Sequence, residues 1–131
     1  MMDRLKITEA KHQENVIEWS QNPRIRAKYP GIELLFHVTN GGSRNKIEAA
    51  HLKRQGVKPG VPDLFLPVAR GRYHGLFIEM KTDTGRASDA KNDWIERLNA
   101  EGYFAEVCHG WESAVRVLER YLTLWREERD D

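Results

Sequence analysis

Residues 60–81, GVPDLFLPVARGRYHGLFIEMK, place two apolar runs on either side of a turn rich in glycine and arginine. Runs of this length with Leu, Phe, Ile and Val, separated by ARGRYHG, predict a β-hairpin with strands over about 63–68 and 75–81. Pro67 lacks an amide donor and argues for an edge position or a bulge. The hairpin also holds three charges among its oily residues: Asp63, Glu79 and Lys81. An interior tolerates a charge only when it is paired, hydrogen-bonded or bound to a metal, so their placement requires a reason.

Strand alternation places them. Leu76, Ile78 and Met80 point to one face of the second strand, and Phe77, Glu79 and Lys81 to the other. With the turn centred near residue 71 or 72, Asp63 falls opposite the region of Glu79 to Lys81. Two carboxylates and one ammonium therefore meet at one end of the sheet. A structural ion pair accounts for Lys81 and one acid, but leaves the second acid unexplained. Close carboxylates repel unless a cation lies between them. A hard divalent ion binds through one or two carboxylates and its own waters, and it can polarise a phosphoryl oxygen. The combination suits phosphodiester hydrolysis.

The rest of the chain supplies a frame for that hairpin. Thr8 can cap a helix running to about Ser20 and stopped by Asn22-Pro23. Its apolar stripe is set by Val16 and Ile17, with Gln13 near the centre of that stripe and Glu9 slightly off it. ELLFHV (33–38) is a short strand candidate. NGGSRNKIEAAHLKRQG (40–56) reads as a glycine turn, a Ser43 cap, a short helix and a Gly56 stop. Ser88 opens a helix with Trp94, Ile95 and Leu98 as its apolar face and Gly102 as its stop, and YFAEVC (103–108) is the next strand. Strand, helix and strand of these lengths form a crossover, which requires parallel pairing. The final helix, about 111–126, carries Trp111, Val115, Leu118, Leu122 and Trp125 as a stripe for core packing or a dimer seam. The expected fold is α/β: a mixed β-sheet of antiparallel strands, with one parallel strand added through a βαβ crossover, flanked by helices. At 131 residues this is a single domain spanning 1–131.

Composition excludes several classes. With 21 basic residues against 20 acidic ones, the formal charge is +1, so any nucleic-acid surface must be a local patch. Arg44, Lys46, Lys53, Arg54 and Lys58 form one such patch, opposed only by Glu48; Arg70, Arg72, Tyr73 and His74 decorate the hairpin turn. Phosphate contact and a solvated helix face are both open readings of it. Asn40-Gly41-Gly42 offers backbone amides to a phosphate or simply a turn, and the EERDD end suits an acidic opposite face. The lone Cys108 reads as a buried small hydrophobe, and His37, His51, His74 and His109 show no ligand spacing. Ser43 has no base in register for a serine hydrolase. No apolar run approaches a membrane span or a signal region, which predicts a soluble intracellular protein with no membrane partner.

At this level of detail the chain resembles a known family. Pro62-Asp63 with Glu79-Met80-Lys81 is the PD-(D/E)XK nuclease signature. NGG at 40–42, GVPDLFLP at 60–67, IEMKTDTGRAS at 78–88, WIERLNAEGY at 94–103 and the HGWESAVRVLERYL ending are similar to the VRR-NUC domain, found alone in phages and bacteria. The resemblance implies a restriction-endonuclease-like fold and a metal-dependent endonuclease of the cytoplasm. It implies Asp63 and Glu79 as ligands of Mg2+ or Mn2+, with the Met80 backbone carbonyl as a further oxygen, and Lys81 as the catalytic lysine. A residue of the first helix joins such sites, Gln13 or Glu9 here, and Gln13 is preferred for its face. Stand-alone members look like homodimers that process branched double-stranded DNA, including four-way junctions. At Lys91 the chain departs from its relatives, which commonly carry Gln, so the resemblance assigns that side chain no role. A DNA-structure binding module without turnover and a nuclease reading a short sequence are the competing expectations.

Overall fold

The computed structural model describes residues 6–39 and 45–125. Helix α1 (Glu9–Gln21) begins where Thr8 accepts a hydrogen bond from the Lys11 amide at 3.1 Å. Asn22 ends it but does not end helicity. Its side chain accepts from the Arg24 amide at 2.9 Å and caps a second helix, α2 (Pro23–Lys28), with Pro23 in the first turn. Proline is pre-organised at that position because its missing donor would be unpaired there anyway; the Asn-Pro pair is a joint between two helices rather than a stop.

Residues 32–34 then form a 3-10 turn, so the strand expected over 33–38 shrinks to β1 (Phe36–His37). Helix α3 (Lys46–Arg54) is capped by Asn45, whose Oδ1 accepts from the Ile47 and Glu48 amides. The cap expected at Ser43, like Asn40 to Gly42 and Arg44, lies outside the described residues. Strands β2 (Leu64–Leu66) and β3 (Leu76–Lys81) form the hairpin, α4 (Asp89–Ala100) the crossover, β4 (Phe104–His109) the parallel strand, and α5 (Trp111–Leu122) the last helix.

The sheet order is β1-β2-β3-β4, antiparallel except for the parallel β3/β4 pair. β2 is an interior strand, and Pro67 needs neither an edge nor a bulge because pairing stops at Leu66, one residue before it. Leu64 faces Ile78 and Leu66 faces Leu76 across the hairpin; all four are buried, in one cluster with Val16 of α1 and Ala114 and Leu118 of α5. Each such aliphatic side chain contributes roughly 1.5–3 kcal/mol by leaving water. On the other face Phe65 stacks on Phe77 at 4.2 Å between ring centroids. The buried stripe of α5 is Ala114, Leu118 and Tyr121. The expected stripe had the right helix but ran too far: Trp125 lies past its end and is 90% exposed.

Two contacts hold α4 where the site needs it. Trp94 donates to the Pro59 carbonyl at 3.1 Å. Gly60, at φ +93°, packs so closely that a Cβ there would lie 2.8 Å from Trp94 and 2.9 Å from the Ala90 carbonyl. The loop entering Asp63 is thereby clamped to the N-terminal half of α4.

Candidate active site

The hairpin register carries Asp63 to the Glu79 end of β3, as strand alternation requires. Asp63 is 6% exposed and fixed from both ends of the residue. Its carbonyl accepts from the Val38 amide at 2.7 Å and lies 2.8 Å from His37 Nδ1. Its Oδ2 accepts from the Met80 amide at 2.9 Å. Met80 itself is fully buried between the two charged residues of β3.

Glu79 is fully buried, although it is ionisable. Its Oε2 lies 2.7 Å from Lys91 Nζ and 3.4 Å from Lys81 Nζ. Both contacts are ionic in distance but not in hydrogen-bond geometry, and among the described residues neither Glu79 oxygen has a well-formed donor. Lys81 reaches on to Glu9 of α1, with Nζ 3.3 and 3.2 Å from its two oxygens. Carboxylate oxygens of Glu9, Asp63 and Glu79 all lie within 4.8 Å of one another.

Of the two first-helix candidates, Glu9 stands in the cluster, paired with Lys81. Gln13 is half-buried one turn later on the same helix face and makes no hydrogen bond to the three carboxylates. Helical geometry identifies the stripe, but only the way α1 lies across the sheet end decides which turn of that stripe arrives. The position of α1 is set in part by His12, a buried residue whose role the sequence does not announce. Its Nδ1 accepts from the Trp111 amide at 3.1 Å, so the neutral ring carries its proton on Nε2 and ties α1 to the start of α5. Lys91 is the second residue missed. In sequence it stands out only as the position where relatives commonly carry Gln; the return of α4 over β3 brings it to Glu79.

The basic residues are more scattered. Lys46, Lys53 and Arg54 are exposed on α3 and Lys58 follows it. Arg72 is exposed on the hairpin turn, at the end of β3 opposite Glu79 and Lys81. At ~3.3 Å per residue along a strand, Arg72 stands well outside the reach of the carboxylate cluster.

Burial raises the Glu79 pKa, and the Asp63 charge adds to it, while Lys91 and Lys81 pull the other way without cancelling the rise. For Lys81, burial lowers the pKa, but the hydrogen bond and charge of Glu9, with Glu79 behind it, reverse the sign and raise it. A raised folded-state pKa on a carboxylate favours the neutral form. The stability Glu79 contributes is full below its unfolded value and is lost as pH rises through the higher folded one. In metal-free buffer, Glu79→Gln is thus expected to gain stability relative to the native chain as pH rises above the ordinary carboxylate range, read as a widening difference in denaturant midpoint. A gap that closes with rising pH would contradict this assignment.

The donor set fits a hard cation. All three side chains offer carboxylate oxygen, and the unsatisfied oxygens of Glu79 are the sort of buried orphan an ion would complete. Glu9, Asp63 and Glu79 would hold such an ion between them, and it would supply charge neutralisation that Lys81 and Lys91 only partly provide.

A mixed sheet whose hairpin end sets Pro62-Asp63 against Glu79-Met80-Lys81 defines a domain of the PD-(D/E)XK nuclease type. The VRR-NUC family model matches residues 7–112, and the chain belongs to the VRR-NUC domain family. Among solved structures, a chain described as "VRR_NUC domain protein" is similar over 95% of both chains, at 34% identity and a TM-score of 0.78. No curated protein sequence matches the chain significantly. Family membership implies a nuclease-type function in DNA processing. No helix among the described residues is long and apolar enough to cross a membrane.

Proposed function

We propose that the protein is a metal-dependent endonuclease that hydrolyses phosphodiester bonds in branched double-stranded DNA, four-way junctions or flaps, and works as a homodimer. The observation that carries this reading is the fully buried Glu79, held beside Asp63 and Glu9 with Lys81 between strand and helix. Asp63 and Glu79, with the Met80 carbonyl, would hold Mg2+ or Mn2+, and Glu9 completes the carboxylate set. The ion supplies charge neutralisation at the phosphate and acidity to a bound water. Lys81 donates from Nζ to the attacking water or to the phosphate oxygen that gains charge, and Glu9 and Glu79 keep it protonated and aimed. Arg44, Lys46, Lys53, Arg54 and Lys58 contact the DNA backbone through charge alone; Arg72, at the far end of the hairpin, serves a more distant arm of the substrate.

Incubation of the full chain with fluorescent four-way junctions, flaps and plain duplex, in magnesium or EDTA, tests the proposal. Metal-dependent cutting of the branched substrates ahead of duplex is expected. Tight binding without cutting in any divalent metal would leave the binding-module reading, and discrete bands from a plasmid digest would favour a sequence-reading nuclease.

The first-helix assignment has its own test. Glu9 is 43% exposed, so its pairing with Lys81 is partly screened and contributes about 1 kcal/mol at most. Glu9→Gln is expected to slow cleavage by roughly fivefold, whereas Gln13→Ala stays within about twofold of the native rate. The reverse ranking in single-turnover assays would return the role to Gln13.

A further inference from the structure

The short contact between Lys91 and Glu79 is not explained by the nuclease machinery just described. Lys91 lies in the first turn of α4, where a cation faces the positive end of the helix dipole and is disfavoured. Its backbone is fixed there, the amide donating to Ser88 Oγ at 3.3 Å. Its side chain is 20% exposed and its Nζ lies 2.7 Å from Glu79 Oε2, closer than the 3.4 Å of Lys81. Lys81 is also shared with Glu9, so Lys91 is the nearer counter-charge of the buried carboxylate.

We propose that Lys91 is a built-in stand-in cation for Glu79, displaced when a divalent ion binds, and thus a residue that sets how tightly the site holds its metal. The proposal rests on the metal-dependent reading of the site and adds to it a residue of this chain. The charge balance supports it. With all five groups ionised, Glu9, Asp63 and Glu79 exceed Lys81 and Lys91 by a single negative charge. That is a poor attraction for a dication. Removing the Lys91 charge doubles the excess and frees the oxygen nearest to it. The exchange needs no backbone movement: a flexible four-carbon stem with its head partly in water can turn outward while Ser88 keeps the helix start in place.

Calorimetric titration of Mn2+ into the DNA-free chain reads the exchange directly. Lys91→Gln is expected to bind Mn2+ about tenfold more tightly than the native chain, and Lys91→Met, which keeps the aliphatic stem, to do the same. Lys91→Arg, which keeps the charge, should bind no more tightly than native. Melting temperatures separate this from a purely structural ion pair. Displacement predicts that both neutral variants melt lower than native in EDTA and recover the difference in Mn2+. Equal losses in EDTA and Mn2+, with Mn2+ affinity unchanged or weaker in both neutral variants, would overturn the proposal while leaving the nuclease reading intact. A native chain that binds no Mn2+, matched by Asp63→Ala and accompanied by no cutting, would overturn both.

Discussion

Asp63→Ala is expected to abolish cleavage, with a loss on the order of a thousandfold, and to destabilise the protein as a separate effect. The activity loss follows from removing a ligand oxygen: several kcal/mol of transition-state charge stabilisation pass through the ion it would hold, and about 4 kcal/mol corresponds to a thousandfold in rate. The stability loss has a different origin. Asp63 Oδ2 is the acceptor for the Met80 amide, in a fully buried stretch of β3. Leaving that donor unpaired costs roughly 1–3 kcal/mol. Asp63→Asn separates the two effects. Its side-chain carbonyl can still accept from Met80, so denaturation should return most of the way to native, while the neutral amide keeps divalent-metal affinity and cutting low. Should Asp63→Asn cut at the native rate in magnesium, the carboxylate has no part in the chemistry.

Lys81→Met is expected to cost a hundredfold to a thousandfold in the rate of the chemical step, the range seen on removing one preorganised donor to developing charge. Its side chain is 12% exposed and joins two carboxylates from different elements, Glu79 of β3 and Glu9 of α1. Methionine preserves the stem and its packing, so the loss isolates the ammonium. Metal affinity should not fall, because a positive charge beside the carboxylates has been removed. Lys81→Arg should recover little, since a planar fork cannot occupy the point position of an ammonium held 3.2–3.4 Å from two separate carboxylates. Single-turnover rates at saturating magnesium distinguish these outcomes. A Lys81→Met variant within a few-fold of native would reduce Lys81 to a structural counter-ion, the bland reading of its sequence.

Much of this site is legible in the chain because it depends on short-range geometry. A hairpin turns residue 64 against 78 and so, one step further, sets Asp63 beside Glu79. The two-residue side-chain period then puts Glu79 and Lys81 on one face. The same local logic identifies the Thr8 and Ser88 caps and the parallel crossover. Local signals with two uses are ambiguous. Asn22-Pro23 can end a helix or begin one, and here it does both. The apolar stripe toward Trp125 continues in the sequence after the helix itself has ended at Leu122.

The sequence alone determined the mixed sheet, with its antiparallel hairpin and parallel crossover, and the convergence of Asp63, Glu79 and Lys81, since each follows from backbone periodicity and turn position. The tertiary structure alone decided that Glu9 of α1 reaches Lys81 and the carboxylate cluster, that His12 fastens α1 to α5, and that Lys91 sits against Glu79. These depend on the angle at which a helix crosses a sheet, set by the whole packed core. No window of neighbouring residues contains that angle.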